Sequence, residues 1–491
     1  MNRQLRRLAL VLMALYVILF AQLNVLQVAR ADRYRDDPRN TVELARDQAR
    51  NRGRILTADG QVAAQSVPVD DRFAYQRQYP LGDLFAHPIG SFSPFFGADG
   101  VEQRYNNVLV GETSQQKLRN LGNLFSTKQR TGDVQTTLRA DLQQVARDAL
   151  GEREGSVAVL DPRTGAVLAL WSWPSYDPNA VAGHDAAVAE AARKALLADE
   201  TKPLLANAYQ ERYMPGSTFK IVTTTAALEN GVPIDRVFGT ERSFTPPDTT
   251  KPIFNFGREL CGGDFLTVFK FSCNTPFARL GSELGAEAMV AQTKKFGIGE
   301  PLPIDLPAPA SSFFGEVGDF AQDVPRLAQS SFGQNAVSIV PLQLAIIAGS
   351  VANGGRMMSP FVMGATFDGD GTQLSRTEPK VWKTPMSPAT AATITEAMIG
   401  VAQGGTARCC IQLASGAQAA AKTGTAQLRA TDDPRGPLSH AWITAFAPAD
   451  APKVVVAVMV KASPEVTTGV GGTVAGPVAR AVLDRALEVL A

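Results

Sequence analysis

The chain has 491 residues, of which 45% are hydrophobic and 19% charged, enough for two or three packed domains and too apolar for a disordered chain. Lysine and arginine (48) nearly balance aspartate and glutamate (47), so the composition carries no general attraction toward nucleic acid. The only histidines, His87, His184 and His440, are far apart in sequence with no metal-ligand spacing, so no metal and no cofactor are expected.

Leu8 to Ala29 is 22 residues without a charge, ~33 Å as a helix rising about 1.5 Å per residue, enough to span a bilayer core. Arg3, Arg6 and Arg7 precede it, which predicts a cytoplasmic N-terminus and a body outside the membrane. Ala29-Arg30-Ala31 has the small-x-small form of a signal-peptide cleavage site, but the apolar run exceeds the usual 7–15 or so residues of such a signal, so an uncleaved anchor over residues 1–30 is the reading adopted. Residues 31 to 50, mostly polar and charged, predict a stalk or first helix. A hairpin is expected around Thr57-Ala58-Asp59-Gly60, and irregular sequence punctuated by glycine and proline continues to about Asp133, predicting a small, mixed, elongated domain.

From Thr136 the periodicities sharpen. Leu138, Leu142, Val145, Ala146 and Leu150 recur at helical spacing before Gly151, and Ser156–Leu160 and Ala166–Trp171 form apolar runs around the turn sequence Asp161 to Gly165. Ala441–Phe446 and Lys453–Val460 predict two late buried strands, and Val474–Leu490 a closing helix. Strands from both ends of a segment with helical sequence between them predict an α+β domain: an antiparallel sheet flanked by helices, with a helical lobe inserted.

The chemistry-bearing stretch is Met214-Pro215-Gly216-Ser217-Thr218-Phe219-Lys220, opening a helix that runs to Asn230. Ser217 and Lys220 are one turn apart, and Lys220 is the only charge before Leu228, so the helix is expected to be buried on nearly all sides. A buried lysine must be paired or give up its proton; burial, the helix N-terminus and a second lysine would each favour the neutral amine, a base for the Ser217 hydroxyl. The bland alternative is a capping serine with a lysine reaching solvent, and Ser114-Gln115-Gln116-Lys117 has the same spacing in polar sequence. Two further elements follow in order. Ser272-Cys273-Asn274 lies 52 residues beyond Lys220, and Lys422-Thr423-Gly424-Thr425 lies 148 beyond Asn274. Each alone reads as an ordinary loop or edge strand.

Together the three elements match the serine-nucleophile set of penicillin-binding proteins and β-lactamases. The chain resembles class B penicillin-binding proteins, within them the penicillin-binding protein A group of actinobacteria. Arg52-Gly53-Arg54-Ile55, Gly333-Gln334-Asn335 through Gly355, and His440-Ala441-Trp442 extend the resemblance to nearly the full chain. It implies a pedestal of the dimerisation-domain type over 31–135 and a transpeptidase domain over 136–491. It further implies that Ser217, Lys220, Ser272, Asn274 and Lys422 are catalytic while Thr423, Gly424 and Thr425 bind the substrate carboxylate, with backbone N–H groups of Ser217 and Thr425 as oxyanion hole. Arg52 would pack the hinge between the two domains.

The implied activity is peptidoglycan D,D-transpeptidation through a Ser217 acyl-enzyme, in cell-wall synthesis serving shape or division, with β-lactams acylating the same serine. The implied partners are stem peptides and a polytopic glycosyltransferase, since roughly 100 residues before Thr136 are few for a polymerising domain of ordinary size. A D,D-carboxypeptidase differs only in using water as acceptor. A β-lactam sensor would carry several membrane spans, and a class A β-lactamase a Glu-x-x-Leu-Asn element that is absent here. Export also permits disulfides; Cys261–Cys273 is the expected pair, and Cys409 and Cys410 remain either a vicinal bond or two thiols.

Overall fold

The computed structural model describes residues 3–30, 50–116, 131–429, 437–463 and 470–490. Helix α1 (Arg3–Asn24) continues as a π-helical turn to Ala29; within it Arg6–Gln27 has a mean hydropathy of 2.3, is long and apolar enough to cross a membrane, and is buried by no part of the chain. The expected stalk at 31–49 lies outside the described residues.

Strands β1 (Ile55–Leu56) and β2 (Val62–Pro68) form the hairpin announced by Asp59-Gly60, and β3 (Tyr75–Gln78) pairs antiparallel with β2. Strand β4 (Asp133–Thr136) lies parallel to β1. Helix α2 (Ala140–Leu150) turns Leu142, Ala146 and Leu150 inward and stops at Gly151, whose φ of +62° suits a residue without Cβ. Strands β5 (Gly155–Leu160) and β6 (Val167–Trp173) follow. A 3₁₀ turn at Gly216–Phe219 opens helix α3 (Lys220–Glu229), and α4 (Thr275–Lys295) and α5 (Pro341–Ala352) each begin with proline in the first turn. Strands β7 (Met363–Phe367) and β8 (Gln373–Arg376) precede helix α6 (Pro388–Gly404), capped by the Ser387 hydroxyl on the Thr390 N–H. Three long strands, β9 (Ala420–Arg429), β10 (Leu438–Ala447) and β11 (Val454–Val460), and helix α7 (Gly471–Val489) complete the chain.

The five-stranded sheet runs β9-β10-β11-β5-β6, antiparallel throughout, two strands from residues 155–173 and three from residues 420–460. Strands β5 and β11 are buried at every position, as a sheet covered on both faces requires. Helices α2 and α7 cover one face and α5 the other, with α6, α3 and α4 stacked beyond. The α+β architecture expected above is present.

The pedestal sheet has the order β8-β7-β4-β1-β2-β3, so two strands from residues 363–376, far along the chain, extend a sheet begun at residue 55. No local pattern at 363–376 announces that partner. Asp305 ties the same seam, accepting from the Tyr105 hydroxyl (2.7 Å) and from the N–H groups of Val362 (2.7 Å) and Met363 (2.9 Å).

Arg52 departs from expectation. Its guanidinium reaches Glu102 and Asn106, both within the pedestal, so it knits that domain internally instead of packing the hinge. Gly53, next to it, is required by close approach: a Cβ there would sit 1.8 Å from the carbonyl oxygen of Gly132.

Candidate active site

The nucleophile candidate sits where the 3₁₀ turn meets α3. From Pro215 to Lys220 every residue is buried except Ser217, which is partly open. Gly216 has φ +54°, and a Cβ on it would lie 2.6 Å from the carbonyl carbon and oxygen of Thr425, so the backbone before Ser217 rests directly on β9. The Gly216 N–H donates to the Gly333 carbonyl (2.9 Å), and the Trp442 indole N–H to the Met214 carbonyl (2.8 Å). The turn carrying Ser217 is therefore pinned from β9, from β10 and from the segment at Gly333.

Lys220 is fully buried, as the apolar helix behind it predicts, and does not reach solvent. Its Nζ lies 2.7 Å from the Ser272 carbonyl oxygen, 3.2 Å from Ser272 Oγ and 2.9 Å from Asn274 Oδ1. Lys422, also fully buried although β9 is an edge strand, places its Nζ 2.9 Å from the same Ser272 Oγ and 3.1 Å from the Thr423 carbonyl oxygen. Two amines thus converge on one hydroxyl. Among the described residues no side chain or backbone group hydrogen-bonds the Ser217 hydroxyl.

Among the described residues no carboxylate answers these two lysines, and the electrostatic outcome follows. Burial, reinforced by the charge of Lys422, holds Lys220 well below the ordinary lysine range. Burial brings Lys422 down to about 7. The cationic forms are met only by the neutral oxygen acceptors just named and by the rings of Phe277 (5.2 Å from Lys220 Nζ) and Phe269 (5.5 Å from Lys422 Nζ) among the described residues. These are the aromatics clustered between Phe265 and Phe277 in the sequence.

The Ser272 backbone is held at φ +59°, sparsely populated for a serine. Three restraints hold it there. Asp264 caps the preceding helix through the Thr267 N–H; Asn255 Oδ1 accepts from the N–H groups of Asn274 (2.8 Å) and Thr275 (3.0 Å); and Cys273 is joined to Cys261, as expected. Cys409 and Cys410 are bonded to each other.

On the other wall Thr423 Oγ1 meets Thr406 Oγ1 at 2.6 Å, and Thr425 Oγ1 accepts from the Gly471 N–H (3.2 Å). Gly424 packs against the Ser217 turn, where a Cβ would lie 2.6 Å from the Pro215 carbonyl oxygen. The amide of Gln334, oriented with its oxygen toward the Gln427 N–H (3.0 Å) and its nitrogen toward the Gln427 carbonyl (3.3 Å), borders the free edge of β9. A groove of about 340 Å³ continues from here, lined by Asn274, Gln334, Gln427, Phe254, Arg258 and Arg429.

All eight residues singled out in the sequence thus lie on the walls of one cleft or directly behind them. Asn255 and Thr406 were not foreseen, and Gln334 entered only through the resemblance at Gly333-Gln334-Asn335, without a role: each acts through a contact 17 to 93 residues away in sequence. Ser114, of the rival spacing, belongs to the pedestal region, and Lys117 lies outside the described residues.

A buried-lysine site beside an open serine, on a five-stranded sheet with an inserted helical lobe, defines a serine acyl-transfer protein. The model of the penicillin-binding-protein transpeptidase domain matches residues 155–484, and that of the penicillin-binding protein A dimerisation domain matches 52–134. The chain is 40% identical to the peptidoglycan D,D-transpeptidase PbpA of Mycolicibacterium smegmatis and 37% identical to that of Mycobacterium tuberculosis, each over 99% of both chains. It is also similar to the solved structure of M. tuberculosis penicillin-binding protein A as its penicillin G acyl-enzyme complex, with a TM-score of 0.81 and 36% identity over 89% of this chain and 100% of that one. The chain belongs to the penicillin-binding-protein transpeptidase family.

Proposed function

We propose that this protein is a peptidoglycan D,D-transpeptidase that cross-links stem peptides through an ester on Ser217 and is acylated there by β-lactams. The observation that carries the reading is the meeting of Lys220 and Lys422 at the hydroxyl of Ser272, beside a serine that is partly open at the foot of a buried helix.

A neutral Lys220 has two protons and one lone pair. It donates to the Ser272 carbonyl and to Asn274 Oδ1, and the lone pair is left to accept, from Ser272 in the resting site and from Ser217 as attack begins. Ser217 Oγ adds to the carbonyl carbon of the D-Ala-D-Ala bond while its proton passes to Lys220. Backbone N–H groups of Ser217 and Thr425 hold the developing oxyanion, a contribution of ~3 kcal/mol per donor in serine hydrolases. The C–N bond then breaks, and the leaving D-alanine amine receives the proton through Ser272. Protonated Lys422, with Thr423 and Thr425 beside the close backbone of Gly424, binds the terminal carboxylate. An amine of a second stem peptide attacks the ester, forming the new amide and returning the proton to Ser217.

The arrangement along the chain fits that role: residues 1–30 as a membrane anchor with arginines on the cytoplasmic side, 31–135 as pedestal and 136–491 as catalytic domain outside the membrane. Glycan polymerisation falls to a separate polytopic glycosyltransferase engaged through anchor and pedestal. Intact mass after incubation with labelled penicillin tests the nucleophile: a single adduct on wild type and none on Ser217→Ala is expected, and an adduct on the alanine variant or at Ser114 refutes it. Turnover of a D-Ala-D-Ala thioester with an added D-amino acid should give the amide; product insensitive to the amine would mean a carboxypeptidase.

A further inference from the structure

The pedestal holds a second buried cluster of charge, unrelated to the chemistry at Ser217, and its charges do not cancel. The side chains of Arg52, Arg77 and Glu102 are 1%, 2% and 0% exposed. Among the described residues Glu102 is their one carboxylate: Oε2 accepts from Arg52 Nε (3.1 Å) and Nη2 (2.8 Å), and Oε1 from Arg77 Nε (2.5 Å) and the Tyr79 hydroxyl (3.3 Å). Two guanidinium ions against one carboxylate leave an excess of one positive charge in the interior.

The two arginines are not equally provided for. Arg52 also donates to Asn106 Oδ1 (2.6 Å) and the Glu102 carbonyl (3.2 Å), and the Phe92 ring lies 4.1 Å below its guanidinium carbon. Arg77 Nη1 donates to the carbonyls of Gly53 (2.8 Å) and Arg52 (3.3 Å) and to Ser66 Oγ (3.2 Å). Arg77 Nη2, equally buried, has no hydrogen-bond partner among the described residues. An orphaned donor on a buried cation is costly unless something not yet named accepts from it.

Arg77 also lines a small cavity. It is lined by Arg50, Arg52, Ser66, Tyr75, Arg77, Phe92, Pro94, Ala182 and His184, and its volume of about 10 Å³ holds one sphere of about the size of a water molecule. Among the described residues no carboxylate lines it. The other basic side chains at its edge already have carboxylate partners, Arg50 in Glu112 and His184 in Asp71 (2.6 Å). Ser66 Oγ already accepts from Arg77 Nη1 and from the Arg52 N–H (3.4 Å), so its own proton is available to a further acceptor.

We propose that this cavity is a binding site for one monatomic anion of the chloride class, held by Arg77 Nη2 and the Ser66 hydroxyl. Size excludes phosphate or sulfate. Charge selects an anion over water: a water molecule would satisfy the orphaned N–H but leave the excess charge uncompensated. The anion would complete the Arg52–Glu102–Arg77 cluster as two cations with two anions, and so lock β1, β2 and β3 to the short helix Gly100–Arg104 that carries Glu102.

Bromide provides the test. Crystals of the full chain soaked in sodium bromide should show an anomalous peak within hydrogen-bonding distance of Arg77 Nη2. In parallel, the melting temperature of the detergent-solubilised chain should rise saturably as chloride replaces gluconate at constant ionic strength, and Arg77→Met should lose that rise. Density without anomalous signal at this position identifies a water and overturns the proposal, as does a chloride response of equal size in Arg77→Met. The bromide experiment needs only wild-type protein, so it decides the matter even if the variant fails to fold.

Discussion

Replacing Lys422 by methionine removes one positive charge from beside Lys220 while keeping an unbranched side chain of similar length. Both amines lie within hydrogen-bond distance of the same Ser272 Oγ, at 3.2 and 2.9 Å, so their nitrogens are at most about 6 Å apart. Two unit charges at about 6 Å and an effective dielectric of about 20 interact by about 3 kcal/mol, a factor of about 100 in the fraction of neutral Lys220. The sign is fixed: a neighbouring cation disfavours the protonated amine, so its loss lets Lys220 keep its proton to higher pH. Lys422 itself titrates at about 7, so the coupling acts below that pH and fades above it. The assay is the second-order rate constant for acylation by a penicillin, read by intact mass across pH 5 to 10 or so. Lys422→Met lowers the plateau, because the carboxylate contact is gone, and independently moves the rising limb to higher pH. A limb that stays in place, or moves to lower pH while the plateau falls, would show that Lys422 binds substrate without tuning Lys220.

Three further outcomes follow from the same geometry. Glu102→Ala leaves two buried guanidinium groups without their carboxylate and should cost at least the ~3–5 kcal/mol typical of breaking a buried pair, read as a lower urea midpoint; an unchanged midpoint would mean solvent reaches the cluster. Reduction of Cys261–Cys273 reopens a loop of twelve residues and should remove about 3 kcal/mol of stability, and alkylation without reductant should find no free thiol among the four cysteines. His87 and His440 are both held by burial at about 4, so the unfolded chain binds more protons between about 6.5 and 4 and stability must fall as pH drops through that window. Each contributes a loss on the order of 3 kcal/mol by pH 4, and His87→Gln, which keeps a donor for the Pro203 carbonyl, should flatten the melting-temperature curve there.

Much of the catalytic domain was readable because its elements are autonomous. Strands β5, β6, β10 and β11 are continuous apolar runs, and the Asp161-to-Gly165 turn and Gly151 stop announce their own geometry. The pedestal was far less legible. Its sheet is finished by β7 and β8, and the partner that β7 finds in β4 is more than two hundred residues earlier; pairing over such a distance leaves no trace in local periodicity. Arg52 shows the same limit at a single residue. Its position in Arg-Gly-Arg-Ile says that something backbone-tight happens at Gly53, but not that its charge is met by Glu102, fifty residues on.

The active site was legible for a different reason, which also shows why Ser114-Gln115-Gln116-Lys117 misleads. A serine and a lysine one turn apart are common, and spacing decides nothing. What distinguishes Lys220 is that the next seven residues, Ile221 to Ala227, are all buried, so its amine has no route to water and must end beside whatever polar groups the fold supplies. Those groups are Ser272 and Asn274, and they are neutral. Had either position been an aspartate, the lysine would form an ordinary ion pair and remain protonated. Because the second charged group that reaches Ser272 is another lysine, the site repels protons from Lys220, which is what the proposed transfer of the Ser217 proton requires. The absence of an acid from Ser-Cys-Asn is therefore as informative as the serine and asparagine that are there: the proposed role of Lys220 as a base, in place of a buried structural cation, rests on it.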